Sequence, residues 1–343
     1  MRATFERKLP IPKEVKEMYP LTFEMRERVE RRRAEVERIF TGEDSRLVLI
    51  IGPCSADRED SVMDYVCRLA TVQERVRDKI CIIPRIYTNK PRTTCLGYKG
   101  LVHQPDPQGK PDLIQGIIAT REFHMRAISE TGFTCADEML YPQNYRYMDD
   151  ILGYVSVGAR SVENQEHRLV SSGVDVPVGM KNPTSGDLSV VMNSIVAAQA
   201  AHDFIYRGWA CESAGNPFAH VIMRGFSDAA GRAHPNYHYE DIMCVAALYE
   251  EHAELENPAV IIDANHSNSR KNPNEQPRII KEVLSYEKHA PKLRALIKGF
   301  MVESYIEDGS QPIDGGVYGK SITDACLGWE RSERLIYDIA EMI

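Results

Sequence analysis

RLVLIIGPCSADREDSVMDYVCRLATVQERVRDKICIIPRIYTNKPRTT, residues 46–94, sets the pattern for the whole chain. Leu47–Gly52 is a short β-branched run that ends at a glycine. Asp60–Gln73 follows as a helical stretch, and Cys81–Tyr87 is a second β-branched run. Strand, helix and strand in alternation predict a parallel sheet.

The rhythm continues through Phe133–Glu138, Tyr154–Arg160, Val176–Lys181, Asp203–Tyr206, Val260–Asp263 and Ile297–Val302, giving eight candidate strands. Helical patterns fall at Ile114–Glu130, Leu188–Ala201, Tyr239–Glu251 and Gln276–Leu284. Eight such units in roughly 300 residues fit an α/β protein of the (β/α)8 TIM-barrel type. An open doubly wound sheet is the alternative, but no GxGxxG opens an early helix. His220–Gly225 (HVIMRG) follows the sixth run without an intervening helix and is read as an excursion on the sixth loop. Ahead of the barrel, Thr22–Phe40 is dense in Glu and Arg, with a narrow stripe of Phe23, Met25, Val29, Val36 and Phe40. Residues 1–45 are therefore expected to form an N-terminal helical extension at a subunit interface, because a barrel needs no such cap. Residues 46–343 are expected to form the catalytic barrel.

Composition narrows the function. Lys plus Arg total 42 and Asp plus Glu total 50, a net charge of −8 that argues against a generic nucleic-acid binder. No apolar run approaches the roughly 20 residues that cross a bilayer. The first residues lack the apolar core of a secretory signal. The eight cysteines include no CxxC pair and read as reduced thiols, so a cytoplasmic protein with no membrane partner is expected.

In a barrel the active site sits at the C-terminal ends of the strands. Two sets of residues fall there. Cys54, His266, Glu303 and Asp324 are a mixed S/N/O/O set, suited to a divalent transition metal with room for water or substrate. Arg85, Lys90, Arg92, Arg160, Lys181 and Arg224 are cations that would repel one another unless a polyanion lay among them. Thr93 and Thr94 add hydroxyl donors beside Arg92. The pattern predicts small phosphorylated or carboxylated substrates. Other conspicuous residues have plainer readings. Trp209 and Trp329 are expected to pack, His167 to lie on a helix near the site without being a ligand, and Cys326 to belong to the core.

The motifs IGPCS (51–55), KPRTT (90–94), GYKG (97–100), GARSVENQ (158–165), GMKN (179–182), MVES (301–304) and GKSITDACLGWE (319–330) resemble those of type I 3-deoxy-D-arabino-heptulosonate 7-phosphate (DAHP) synthases of the microbial aromatic pathway. The resemblance runs from about Arg46 to Glu330. It implies condensation of phosphoenolpyruvate with erythrose 4-phosphate and water, the entry to the shikimate pathway. It implies that Cys54, His266, Glu303 and Asp324 hold a divalent metal, manganese first, with cobalt, iron or zinc as alternatives. It further implies that Arg85, Lys90, Arg160, Lys181 and Arg224 surround phosphoenolpyruvate with help from the Gly158-Ala159 backbone. Pro91, Arg92 and Thr93 would position erythrose 4-phosphate, and Glu138 would stand near phosphoenolpyruvate and a bound water. Lys90, Glu138, His266 and Asp324 are the expected catalytic residues, with Lys90 a candidate proton donor.

The sister enzyme that uses arabinose 5-phosphate, 3-deoxy-D-manno-octulosonate 8-phosphate synthase, shares the barrel and the cage. The Lys90-Pro91-Arg92-Thr93-Thr94 loop favours erythrose 4-phosphate. A non-catalytic regulatory barrel is the second alternative, and it would be expected to lose ligands or cations that are all present here. Feedback-controlled relatives carry a longer N-terminal arm and an inserted hairpin. Tyr206–Ala219 and the chain start look shorter than in those relatives, so weak or absent feedback inhibition by aromatic amino acids is expected. A homodimer or homotetramer is expected.

Overall fold

The computed structural model describes residues 2–92 and 96–343. In chain order its strands are β1 (Leu47–Gly52), β2 (Ile80–Pro84), β3 (Ala136–Glu138), β4 (Tyr154–Val157), β5 (Val178–Lys181), β6 (His202–Tyr206), β7 (Trp209–Ser213), β8 (Ala219–Met223), β9 (Phe226–Ser227), β10 (Ala233–His234), β11 (Val260–Asp263) and β12 (Ile297–Glu303). Its helices are α1 (Pro12–Met18), α2 (Phe23–Thr41), α3 (Glu59–Val76), α4 (Leu113–Thr131), α5 (Gln165–Ser171), α6 (Leu188–Gln199), α7 (Tyr239–Glu251), α8 (Gln276–Glu287), α9 (Pro291–Leu296) and α10 (Trp329–Met342).

Eight strands pair in the order β2-β1-β12-β11-β8-β5-β4-β3, all of them parallel. The two edges meet through a single bridge between Arg85 and Ala136, where the Ile86 N–H donates to Ala136 O at 3.0 Å. This is the expected (β/α)8 barrel. Alternation along each strand builds it. Val48, Ile50, Cys81, Ile83 and Met301 share one core cluster in the barrel, while Leu49, Ile51, Ile80 and Ile82 join the larger cluster beneath the helices.

Two expectations are corrected here. Asp203–Tyr206 is not a barrel strand. As β6 it pairs antiparallel with β7 in a separate hairpin, and the sixth barrel strand is β8, which overlaps the HVIMRG run expected on a loop. Solvent separates the two. Every residue of β8 is buried, whereas β6 alternates exposed and half-buried positions until Tyr206. The hairpin also leaves Trp209 74% exposed, so that residue does not pack as expected within this chain.

The second correction concerns the cap. Thr22 caps α2 by accepting from the Met25 N–H, and Gly42 ends it at φ 81°. The last turns of α2 place Val36, Ile39 and Phe40 in the same cluster as barrel-lining Val48, Ile50 and Ile83. The barrel does use a cap, and the cap is its own N-terminal helix. Burying these three side chains favours the folded state by roughly 1.5–3 kcal/mol each.

The seven cysteines among the described residues are unpaired. No helix among the described residues is long and apolar enough to cross a membrane.

Candidate active site

Every described residue of the expected site lines one cavity of about 290 Å³ at the C-terminal ends of the barrel strands. Each arrives from its own segment. Cys54 follows β1, Arg85 follows β2, and Lys90, Pro91 and Arg92 lie farther along the same loop. Glu138 ends β3, Gly158, Ala159 and Arg160 follow β4, and Lys181 ends β5. Arg224 follows β8, His266 follows β11, Glu303 ends β12, and Asp324 lies between β12 and α10. Thr93 and Thr94 lie outside the described residues.

The donor set is compact. Cys54 Sγ, one Glu303 carboxylate oxygen and one Asp324 carboxylate oxygen lie within 4.8 Å of one another. His266 joins through Glu303, its Nε2 standing 3.8 Å from Glu303 Oε1. Cations already press on this group. Lys90 Nζ is 2.6 Å from Cys54 Sγ and 3.1 Å from Asp324 Oδ2, and Lys271 Nζ is 3.1 Å from Asp324 Oδ1. Burial alone would raise the pKa of Glu303, but His266, Arg85 and Lys90 outweigh it and hold the carboxyl below its ordinary value. Asp324 is held down likewise, where Lys90 and Lys271 overcome burial. Burial, reinforced by Glu303, pushes the Cys54 thiol up to about 11. Two ionised carboxylates, an imidazole and a thiol that a metal would deprotonate fit a divalent transition metal.

Supporting groups hold the donors in place. Arg85 Nη2 donates to Glu303 Oε1 at 3.1 Å, and Asn265 Nδ2 donates to Glu303 Oε2. His266 has the left-handed φ of 51°, with Nδ1 2.7 Å from Asp263 Oδ2 in a contact too poorly aligned for a hydrogen bond. Asp263 is fully buried. There the desolvation that would raise its pKa is overcome by His266, Lys181 and Arg85, which keep it ionised.

Across the cavity lies the cage. Arg85, Lys90, Arg92, Arg160, Lys181, Arg224 and Lys271 face it, against the carboxylates of Glu138, Glu303 and Asp324. Arg85 stacks 4.0 Å over the Tyr87 ring, and Lys181 Nζ lies 3.4 Å from Glu138 Oε2. Burial pulls the Lys90 ammonium down, but Cys54, Asp324 and Glu303 hold it well above its ordinary value. That favours charge and hydrogen-bond donation over proton loss. Nε and Nη1 of Arg85 and Nε of Arg224 are buried without a hydrogen-bond partner among the described residues. Buried guanidinium donors in that state are suited to an anion. A Cβ at Gly158 would sit 2.6 Å from Glu138 Oε1, so a larger residue there would push the Glu138 carboxylate aside.

Lys271, Tyr87, Ser161, Thr184 and Leu96 also line the cavity and escaped the reading of the sequence. Tyr87 had a signal: it ends the second strand run two residues after Arg85. Lys271 had none, because it reaches Asp324 through a loop conformation with φ 61°. Of the plainer readings, that for Trp209 fails, and the placements expected for His167, Trp329 and Cys326 meet the structure. His167 lies in α5 and its Nε2 contacts Leu140 O at 3.0 Å, Trp329 packs edge-on to Tyr65, and Cys326 is fully buried.

Fold and site together define a barrel enzyme whose mouth carries an anion cage beside a donor set suited to a divalent metal. The chain belongs to the DAHP synthetase I family, whose sequence model matches residues 20–336. It is 34% identical over 344 residues to the Trp-sensitive phospho-2-dehydro-3-deoxyheptonate aldolase of Escherichia coli (strain K12), covering 98% of this chain and 95% of that protein. It is also 34% identical over 346 residues to the Tyr-sensitive form from the same strain, covering 98% and 93%. The solved structure of phospho-2-dehydro-3-deoxyheptonate aldolase from Francisella tularensis SCHU S4 superposes with a TM-score of 0.91 at 30% identity, covering 100% of this chain and 98% of that one.

Proposed function

We propose that this chain condenses phosphoenolpyruvate with erythrose 4-phosphate and water to give DAHP and phosphate, at the entry to the shikimate pathway. The observation that carries the reading is the single cavity in which unpartnered Arg85 and Arg224 N–H groups face the Cys54/Glu303/Asp324 donor cluster. Arg85, Lys90, Arg160, Lys181 and Arg224 would surround phosphoenolpyruvate, with the Gly158-Ala159 backbone assisting. Pro91, Arg92 and Thr93 would orient erythrose 4-phosphate. This binding brings two mutually repelling phosphorylated substrates within reacting distance.

Cys54, His266, Glu303 and Asp324 would hold the divalent metal, manganese first, which when bound supplies Lewis-acid polarisation of the aldehyde carbonyl. As carbon–carbon bond formation leaves positive character at C2 of phosphoenolpyruvate, Glu138 would take a proton from the water that adds there. The Arg/Lys cage then receives the departing phosphate.

The test is phosphoenolpyruvate consumption by purified protein with erythrose 4-phosphate or arabinose 5-phosphate, with and without chelator. Erythrose 4-phosphate is expected to react faster, and chelator to abolish turnover until a divalent metal is restored. Faster turnover with arabinose 5-phosphate, or none with either sugar, overturns the reading.

Weak feedback inhibition belongs with this proposal. Its basis is the length of the Tyr206–Ala219 stretch in the sequence, and the structure does form a hairpin, β6 with β7, that overlaps it. The relatives named Trp-sensitive and Tyr-sensitive give it no support. Inhibition assays with Phe, Tyr and Trp decide it. We also propose a cytoplasmic homodimer or homotetramer with residues 1–45 at a subunit interface.

A further inference from the structure

The barrel is weakest where it closes. Between β2 and β3 the backbone ladder consists of the Arg85–Ala136 bridge and its Ile86 N–H to Ala136 O bond. The next rung of a parallel ladder would take the Thr88 N–H to the backbone of β3. It goes instead to a side chain, with Thr88 N donating to Asp137 Oδ1 at 2.9 Å. The same Oδ1 accepts from the Glu138 N–H at 2.7 Å, and Asp137 Oδ2 accepts from the Thr88 hydroxyl. The Glu138 carbonyl that a regular ladder would use accepts from Leu140 N instead. Behind the carboxylate, His124 of α4 is fully buried, with Nε2 4.0 Å away.

Asp137 therefore ties the exit of β2 to the exit of β3 at the point where the strands part. Two residues beyond Thr88 lies Lys90, and immediately after Asp137 comes Glu138, both in the cavity wall. A buried carboxylate costs free energy, and burial pushes this one up to about 7 despite its three donors. An apolar residue there would leave Thr88 N–H and Glu138 N–H without their partner.

We propose that Asp137, through its bonds to Thr88 and Glu138, is a positioning residue that sets Lys90 and the Pro91-Arg92 loop against Glu138 across the cavity. The proposal rests on the reaction proposed above. It acts most on the loop that carries Lys90, Pro91 and Arg92. Of the other cations assigned to phosphoenolpyruvate, Arg160 follows β4, Lys181 ends β5 and Arg224 follows β8, and of these Lys181 also meets Glu138 at 3.4 Å.

The test compares Asp137→Ala, Asp137→Asn, Thr88→Val and the Thr88→Val/Asp137→Ala double variant in metal-loaded enzyme. Misplacing reacting groups by about an ångström can cost about 100-fold, so Asp137→Ala is expected to lose 10- to 100-fold in kcat/KM for erythrose 4-phosphate. The dissociation constant for phosphoenolpyruvate, read by calorimetry, is expected to rise by a smaller factor, about three- to fivefold, because Lys90 shifts while Arg160, Lys181 and Arg224 keep most of the contacts. Asp137→Asn keeps the Oδ1 acceptor and is expected to recover most of the loss. Thr88→Val, which removes only the hydroxyl, is expected to lose about five- to thirtyfold on the sugar side. The double variant should be no worse than Asp137→Ala alone.

Equal losses for both substrates, or failure of Asp137→Asn to recover, overturn the proposal. If Asp137→Ala does not fold, Thr88→Val carries the test, and wild-type kinetics in it likewise refute the bracket. Absence of DAHP formation by the parent enzyme would instead refute the reaction itself.

Discussion

Among the seven cysteines of the described residues, Cys54 alone belongs to a cluster of candidate metal donors, within 4.8 Å of Glu303 and Asp324 oxygens. Without metal its buried thiol resists ionisation, so the sulfur becomes a ligand only when a cation repays that cost. Cys54→Ala is expected to fold and to bind phosphoenolpyruvate, but to lose at least about 100-fold in metal-dependent turnover, more than the loss of a supporting hydrogen bond to a ligand. Elemental analysis after gel filtration should show metal retained by the parent and shed by the variant. Full metal-dependent activity in Cys54→Ala would overturn the ligand assignment. Most of the proposed ligands and cage cations were legible because they lie at or just after strand ends, and Lys90, Arg92 and Asp324 because they fall within motifs. Asp137 and Lys271 were not. The function of Asp137 lies in a hydrogen bond to a residue 49 positions away, and that of Lys271 in a left-handed backbone turn.

At the scale of elements, β6 and β8 teach the same lesson from the other side. HDFIY and AHVIM are both plausible strands, but their composition differs: the first opens on two polar residues, while the second has one, His220, whose Nε2 lies 2.8 Å from the Tyr154 hydroxyl. A barrel strand covered on both faces favours a near-continuous apolar run, which suits AHVIM better than HDFIY. Helix α8 carries a separate consequence. Glu287 near its end is buried, with Oε1 unpartnered, and burial pushes its pKa up to about 8, against a smaller opposing pull from Arg294. A raised acid adds stability below its unfolded pKa, near 4.5, and that stability is lost as pH rises through about 8. Glu287→Gln is therefore expected to match the parent near pH 4.5 and to exceed it above pH 8 by roughly 1–3 kcal/mol. Denaturant melts at the two pH values check this, and an equal difference at both would refute the ionisation argument.

At the scale of the molecule, the net charge of −8 and the cation-lined mouth are reconciled by distance. At 0.1 M salt charges are screened beyond about 10 Å, so an approaching anion answers to the cations of the cavity and hardly to remote acids. The value of kcat/KM for the two anionic substrates is accordingly expected to fall about tenfold between 0.05 M and 0.5 M KCl, and an independent rate would show that the mouth does not steer them. The barrel class, the family and the candidate site residues could be read from the sequence, because strand-helix alternation and motifs at strand ends are local. Only the tertiary structure decided which run became the sixth strand, that α2 plugs the barrel, and that Asp137 closes the β2/β3 seam. Those outcomes depend on solvent exposure and on contacts between segments far apart in the chain, which no local pattern encodes.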